Sequence, residues 1–432
     1  MKEALKVTII FLIVFNFKMP FLYNSVVLAG LLTGFYYLYT RKSIPFTYFF
    51  FRYNAGILIA TIIFAVITTA ITVFHEGFYF VTVMRLGVQF YMISALIFAL
   101  PLIIEDRESE AFELACKYIC YAFTVQGFIH LLGYLIPEVG DFLMSIKPEE
   151  IQAAIKDPHK NIDLFRAYAL SGSIFFELPS AYGVAFIAFM RLQLMENQKY
   201  ITGYMRYAVF TLIVVGIMLT GRVGFVGIGF GLLLYFLFVA DPIVILARFT
   251  KRALLFIPAI LAIYFFVLSP AQQHSFENQI FKFAFEAFYN YSATGHLSTS
   301  STNTTFYAFY FPIKDDTILF GHGINGRSNE FYTFTDAGYM RSLIFGGVFF
   351  LICQIIYQWL YFMRPVAVAR ANKADKAGRI DRAFFIILFV YILVLHVKDN
   401  ALGVQHLTEV LFLFLGCTYL VKHYNLLDES KA

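Results

Sequence analysis

The sequence predicts an all-α polytopic integral membrane protein of about twelve transmembrane helices, eleven being possible, with two larger loops on one side. Three observations carry this. Of the 432 residues, 60% are hydrophobic and only 14% charged, against ~45–50% and ~25% in soluble domains. The apolar residues gather in runs near the ~20 residues that cross a hydrocarbon core. Lys and Arg divide unevenly between alternate connections, as membrane topology requires.

The same composition excludes other classes. Too few charges are present to cover a water-soluble fold of this size, and the chain is far too apolar for disorder. A net charge of +5, dispersed along the chain, does not form the basic stripe of a nucleic-acid binder.

The apolar runs are 7–17, 21–40, 53–74, 81–104, 116–136, 174–195, 205–221, 223–240, 253–270, 337–362, 384–397 and 405–421. The first is short. It follows Lys2 and Lys6 and lacks a small-residue cleavage site, so a retained anchor is expected rather than a signal peptide. With the N-terminus inside, well over half of the 33 Lys and Arg residues fall on the cytoplasmic side, most densely between 364 and 382. Both termini are then cytoplasmic. Residues 1–432 read as one transmembrane domain. Its longer outer loops are 137–172, with a helical stretch from Pro148 to Lys156, and 271–336, with a hydroxyl-rich run from Ser298 to Thr305 expected to be mobile.

Cys116, Cys120, Cys353 and Cys417 lie in or beside apolar segments without ligand spacing, so neither a disulfide nor a zinc site is expected. No pair of aspartates has metal spacing, and no metal or cofactor is called for.

Ionisable groups within or beside spans are costly unless paired or hydrated, which makes them candidates for function. Here they gather on the outer side: Arg166 before span six, Glu177 in its first turns, Arg222 between spans seven and eight, and His322 in the second loop. Asp336 and Arg341 open span ten, Lys398 and Asp399 join the last two spans, and Glu409 follows His406 by one turn. A transport path would place such groups at the midplane. Several arginines at the headgroup level suit a phosphate or diphosphate, whose oxygens a guanidinium grips in a fork. Diphosphate leaves readily once its charge is neutralised. The remaining need is a base for an attacking hydroxyl, with Asp336 leading and His322, Glu177 and Glu409 behind it.

Several of these residues sit in familiar strings. Arg166-Ala-Tyr-Ala-Leu-Ser-Gly-Ser-Ile-Phe-Phe-Glu177-Leu-Pro179 resembles the segment of O-antigen and capsular polysaccharide polymerases in which an arginine precedes a glycine and an acidic-Pro pair entering a helix. Thr220-Gly-Arg222-Val-Gly-Phe-Val-Gly227 resembles their second arginine motif, with Gly221 in place of the usual serine. Phe320-Gly-His-Gly323, then Asp336-Ala-Gly-Tyr339 and Gly346-Gly347, resembles the end of their large periplasmic loop and the helix after it. Related ligases carry a histidine ten residues before that helix glycine; here Asp336 holds the position, which favours the polymerase branch.

The resemblance spans roughly 160–420 and implies a glycosyltransferase of the bacterial inner membrane. It would move a growing glycan from undecaprenyl diphosphate to the non-reducing end of another lipid-linked repeat unit at the periplasmic face. Arg166, Arg222 and Asp336 would be catalytic. Arg341, Lys398, His322, Glu177 and Glu409 would bind substrate. The partners implied are the undecaprenyl-diphosphate-linked oligosaccharide, the lipid bilayer and a Wzz-type chain-length regulator, with no cofactor, metal or nucleic acid. The competing readings are a flippase or transporter of lipid-linked sugars, an O-antigen ligase, and a structural scaffold that uses none of the arginines.

Overall fold

The computed structural model describes residues 2–19, 21–22, 24–40, 46–75, 99, 102, 110–147, 149–156, 164–171, 176–195, 200–239, 247, 263–313, 318–323, 335–371, 376–400 and 410. These residues are mostly helical and include no strand. The helices are α1 (Lys2–Phe15), α2 (Ser25–Thr40), α3 (Phe46–Phe74), α4 (Ala111–Leu135), α5 (Pro137–Ser145), α6 (Glu149–Lys156), α7 (Glu177–Leu194), α8 (Gly203–Thr220), α9 (Val223–Phe238), α10 (Glu286–Thr294), α11 (Ser300–Thr304), α12 (Gly338–Ala371) and α13 (Lys376–Leu395). Short turns of helix join them at Leu164–Ala167, Pro270–Ser275, Phe276–Phe281 and Thr305–Phe309. Among the described residues α4, α8 and the stretch Gly338–Leu360 are long and apolar enough to cross a membrane, and shorter apolar helices accompany them.

Helix α7 is the axis of the molecule. From Leu178 to Leu192 every residue is buried, the signature of a helix apolar on all sides. It packs against α4, α8, α9 and α13. Its approach to α9 is set by glycines: a Cβ on Gly227 would lie 2.2 Å from the Cα of Gly183. Small residues let two backbones meet where apolar burial alone gives little selectivity between lipid and protein. The Tyr391 hydroxyl of α13 closes this contact by donating to the Ser180 carbonyl at 3.0 Å.

Other helices turn apolar faces outward. Ile59, Ile62, Ile63, Val66 and Val73 are exposed on α3, Phe349, Ile352, Ile356 and Trp359 on α12, and Ile386, Val390 and Val394 on α13. Their three- and four-residue spacing makes continuous stripes, as a lipid-facing surface would.

At one end of the bundle Arg191, fully buried, lies 2.9 Å from Glu113 of α4 and 2.7 Å from Asp381 of α13. Its guanidinium also covers the Phe112 ring at 4.0 Å. Three helices are thus tied by one ion cluster around a desolvated guanidinium. Arg191 is ~21 Å along α7 from Glu177 at 1.5 Å per residue, so this cluster and the Glu177 end occupy opposite ends.

Several boundaries differ from those the apolar runs suggested. Helices α3 and α13 begin seven or eight residues earlier than their apolar runs, because a helix continues past the apolar stretch for as long as its backbone bonds hold. For the same reason the basic connection 364–382 is mostly helical, belonging to α12 and α13. The run Ser298–Thr305 contains helix α11, capped by the Thr299 hydroxyl, which accepts from the Thr302 amide at 3.0 Å. Hydroxyl residues there cap and bond locally instead of loosening the chain. Runs 81–104 and 405–421, save residues 99, 102 and 410, lie outside the described residues, and so does Glu409.

The expected single span 337–362 is broken. Gly346 and Gly347 leave helical geometry, Gly347 with φ +66°. In a straight helix Ser342 and Gln354 would sit ~18 Å apart along the axis. Here the Ser342 hydroxyl donates to the Gln354 carboxamide oxygen, so the two halves of α12 fold sharply toward each other. Into this break docks the segment 318–323, by backbone bonds from His322 to Ile344 (2.7 Å), Gly323 to Phe345 (2.8 Å) and Val348 to Ile318 (2.8 Å).

Candidate functional site

The site forms where the ends of α7, α8, α9, α12 and α13 meet the segment 276–304. Arg166 lies in the turn Leu164–Ala167, which two buried side chains position. His130 of α4 donates through Nε2 to the Phe165 carbonyl at 2.7 Å. Lys147 donates to the carbonyls of Ala169 (2.5 Å) and Ser171 (2.7 Å). From that turn Arg166 reaches the end of α8, where its Nε donates to the Thr220 carbonyl at 3.0 Å. A free helix C-terminal carbonyl carries partial negative charge, which favours a guanidinium there. Position 221 is tight: a Cβ would be 3.1 Å from Pro179 and 3.5 Å from the Arg166 Nη2. Gly221 therefore lets Pro179 pack closely on the α8–α9 corner that Arg166 spans.

Arg222 begins the next helix, and the two arginines share one aromatic ring. The guanidinium carbon of Arg166 is 5.1 Å and that of Arg222 4.5 Å from the centroid of Phe283. Both are within cation–π range. Two like charges are held near one quadrupole, and the Glu286 carboxylate is ion-paired to Arg222. Glu286 also accepts the Ser300 amide at 2.8 Å, the first amide of α11.

Lys398 completes the cluster. Its ammonium donates to the Ser301 hydroxyl at 2.7 Å. Burial pushes Lys398 down to about 8; Arg222 and Arg166 push it the same way, while Asp399 and Asp336 oppose them. Arg341, 3% exposed, pairs with Asp399 at 2.6 Å, and the Asp399 carboxylate also accepts the Asn400 amide at 2.7 Å.

The structure thus brings Arg166, Arg222 and Lys398 together, with Asp336 near enough to act on Lys398 and Arg341 joined through Asp399. Asp336 is half-buried and, among the described residues, has no hydrogen bond or ion pair. Just before α12 the Thr335 hydroxyl accepts the Ala337 amide at 3.1 Å. Glu177 opens α7, half-buried, two residues before the Pro179 that packs on the 221 corner. His322 is carried by the segment docked in the α12 break, beside His75, whose Nε2 bonds the Phe320 carbonyl at 3.2 Å.

Sequence reasoning missed Phe283, Glu286 and Ser301. Phe283 is one of 53 phenylalanines, and nothing local separates it from packing residues. Glu286 offered a signal, being an acid within an aromatic-rich stretch. Among the described residues no group of three or more metal-ligating side chains occurs. The arrangement is chemically an anion seat: three cations, a carboxylate already holding one of them, and hydroxyls within reach.

The class that fold and site define is a helical protein with helices long and apolar enough to cross a membrane and a cationic cluster at one end. No family model matches the chain, and no curated protein matches it.

Proposed function

We propose that this protein is a polysaccharide polymerase, a polyprenyl-diphosphate-dependent glycosyltransferase working at the periplasmic face of a bacterial inner membrane. It transfers a growing glycan from undecaprenyl diphosphate to another lipid-linked repeat unit, and its bundle has about twelve spans with both termini cytoplasmic. The observation that supports this best is the stacking of Arg166 and Arg222 on the single ring of Phe283. Two guanidiniums gathered at one ring suit the two phosphates of a diphosphate, and their charge stabilises it as a leaving group. Asp336 activates or orients the acceptor hydroxyl. Arg341 assists through Asp399. A Wzz-type regulator is the partner expected for such an enzyme.

The test is to incubate the purified protein with one defined undecaprenyl-diphosphate-linked repeat unit, with and without chelator. Ladders of multimers in both samples support the reading. Repeat units that stay single despite an intact, inserted protein count against it.

One observation favours a second reading, transport of the same lipid-linked sugar. Broken helices at substrate sites recur in transporters, and α12 is broken at Gly346–Gly347. Cells lacking a polymerase still display single repeat units, whereas cells lacking a flippase display none.

A further inference from the structure

We propose that Lys398 is the general base of this site, and that the Ser301 hydroxyl marks where the acceptor oxygen binds. This rests on the polymerase reading and fills the role that reading leaves divided between base and orienting group.

The geometry begins with two consecutive residues of α11. Ser300 reaches Glu286 through its amide at 2.8 Å and its hydroxyl at 3.3 Å, and Glu286 pairs with Arg222. Ser301, the next residue, places its hydroxyl 2.7 Å from the Lys398 nitrogen. The charges of Arg222 and Arg166 act directly on the Lys398 ammonium, so a hydroxyl in contact with the amine and an anion in contact with Arg222 are near neighbours. A donor's anomeric carbon belongs between those two points. A base must lie within about 2.6–3.2 Å of the proton it removes, and Lys398 already does so toward a hydroxyl.

The charges facing Lys398 suit this work. Arg222 and Arg166 oppose its protonated form, and Asp399 and Asp336 favour it. Asp399 is engaged by Arg341 and Arg222 by Glu286. With the ammonium brought down to about 8, roughly one molecule in ten carries a neutral amine at pH 7. Lysines tuned to that range serve as bases at neutral pH.

The neutral amine takes the acceptor proton and becomes ammonium, while the oxygen's electron pair forms the bond to the anomeric carbon. The bond from that carbon to the diphosphate oxygen breaks, and its electron pair leaves on the diphosphate held by Arg166 and Arg222. Loss of the proton to water restores the amine, and Asp336 orients the acceptor.

The experiment measures kcat and KM from pH 6 to 9.5 on the full chain in lipid vesicles, using a defined undecaprenyl-diphosphate-linked repeat unit. Wild-type kcat is expected to rise with pH to a plateau, with an apparent pKa near 8. Lys398→Arg and Lys398→Met are expected to lower kcat by about 10²–10⁴-fold, abolish the rise and leave KM nearly unchanged. Small primary amines should partly restore Lys398→Ala. A wild-type profile flat across this range overturns the proposal without any variant. So does Lys398→Arg turning over at the wild-type rate, while the polymerase reading stands. Wild-type protein that forms no multimers at any pH overturns that reading and this proposal with it.

Discussion

Glu286 holds Arg222 in an ion pair, so an internal carboxylate occupies the guanidinium assigned to the substrate's headgroup. An arriving diphosphate, carrying more charge and more acceptor oxygens, must displace it. Glu286→Gln is therefore expected to bind inorganic pyrophosphate several-fold more tightly than wild type, since an exposed-to-intermediate ion pair contributes up to about 1 kcal/mol. Calorimetric titration measures this. Weaker binding in the variant would make Glu286 a scaffold for α11 rather than a competitor.

Phe283 bears both guanidiniums, at 5.1 and 4.5 Å. Each contact is worth about 0.5–2 kcal/mol depending on desolvation. Phe283→Leu keeps most of the apolar volume but loses the quadrupole, and is expected to weaken pyrophosphate binding about 5- to 50-fold and to lower thermal stability slightly, since both contacts are also lost in the free protein. Arg222→Ala is expected to abolish chain extension while the protein still inserts in the membrane, which glycan ladders and membrane fractionation read separately.

Arg191 is itself fully buried, and it satisfies Glu113 and Asp381, whose carboxylates keep part of their surface in solvent. Removing the arginine leaves two partly buried carboxylates unpaired, at a cost near or below the low end of the ~3–5 kcal/mol that breaking a fully buried pair carries. Arg191→Met should lower the unfolding temperature of the detergent-solubilised protein markedly. The triple variant Arg191→Met, Glu113→Gln, Asp381→Asn should recover most of the loss, because the uncompensated charges are gone.

Gly347 has φ +66°, and a Cβ there would stand 2.2 Å from the Leu319 carbonyl carbon. Gly347→Ala should expel the segment 318–323 from the break. The backbone bond between Ile318 and Val348 makes these positions neighbours. Cysteines placed there should crosslink on a Gly347 background and fail to do so on the alanine background.

Lys147, 2% exposed, is pushed down to about 7 by burial. Between pH 7 and its ordinary value of 10.5 the unfolded chain binds the proton that the folded chain has released. Stability conferred by this residue therefore rises with pH across that window and is lowest below pH 7. Lys147→Met should flatten this dependence in urea unfolding at pH 6 and pH 9. It should also loosen the Arg166 turn, whose carbonyls at Ala169 and Ser171 it holds.

That the chain is helical, with stretches long and apolar enough to cross a membrane, was legible in its sequence because the length and spacing of apolar runs are local quantities. So were the candidate cations, since a charge beside a span is costly wherever it sits. Helix α6 was legible from its Pro-Glu-Glu start. The break in α12 was visible only as a glycine pair, which by itself is compatible with a continuous helix. It takes the docking of Ile318–Gly323 to satisfy the backbone groups that such a break releases.

Composition and charge placement by themselves determined the class of fold and which arginines to watch, because the bilayer punishes misplaced charge one residue at a time. Only the tertiary structure decided their partners. That Arg166 and Arg222 meet on Phe283, that Glu286 sits between Arg222 and α11, and that Lys398 touches Ser301 depend on helix ends far apart in the chain converging. Contact between distant residues follows from packing geometry, and no local pattern encodes it.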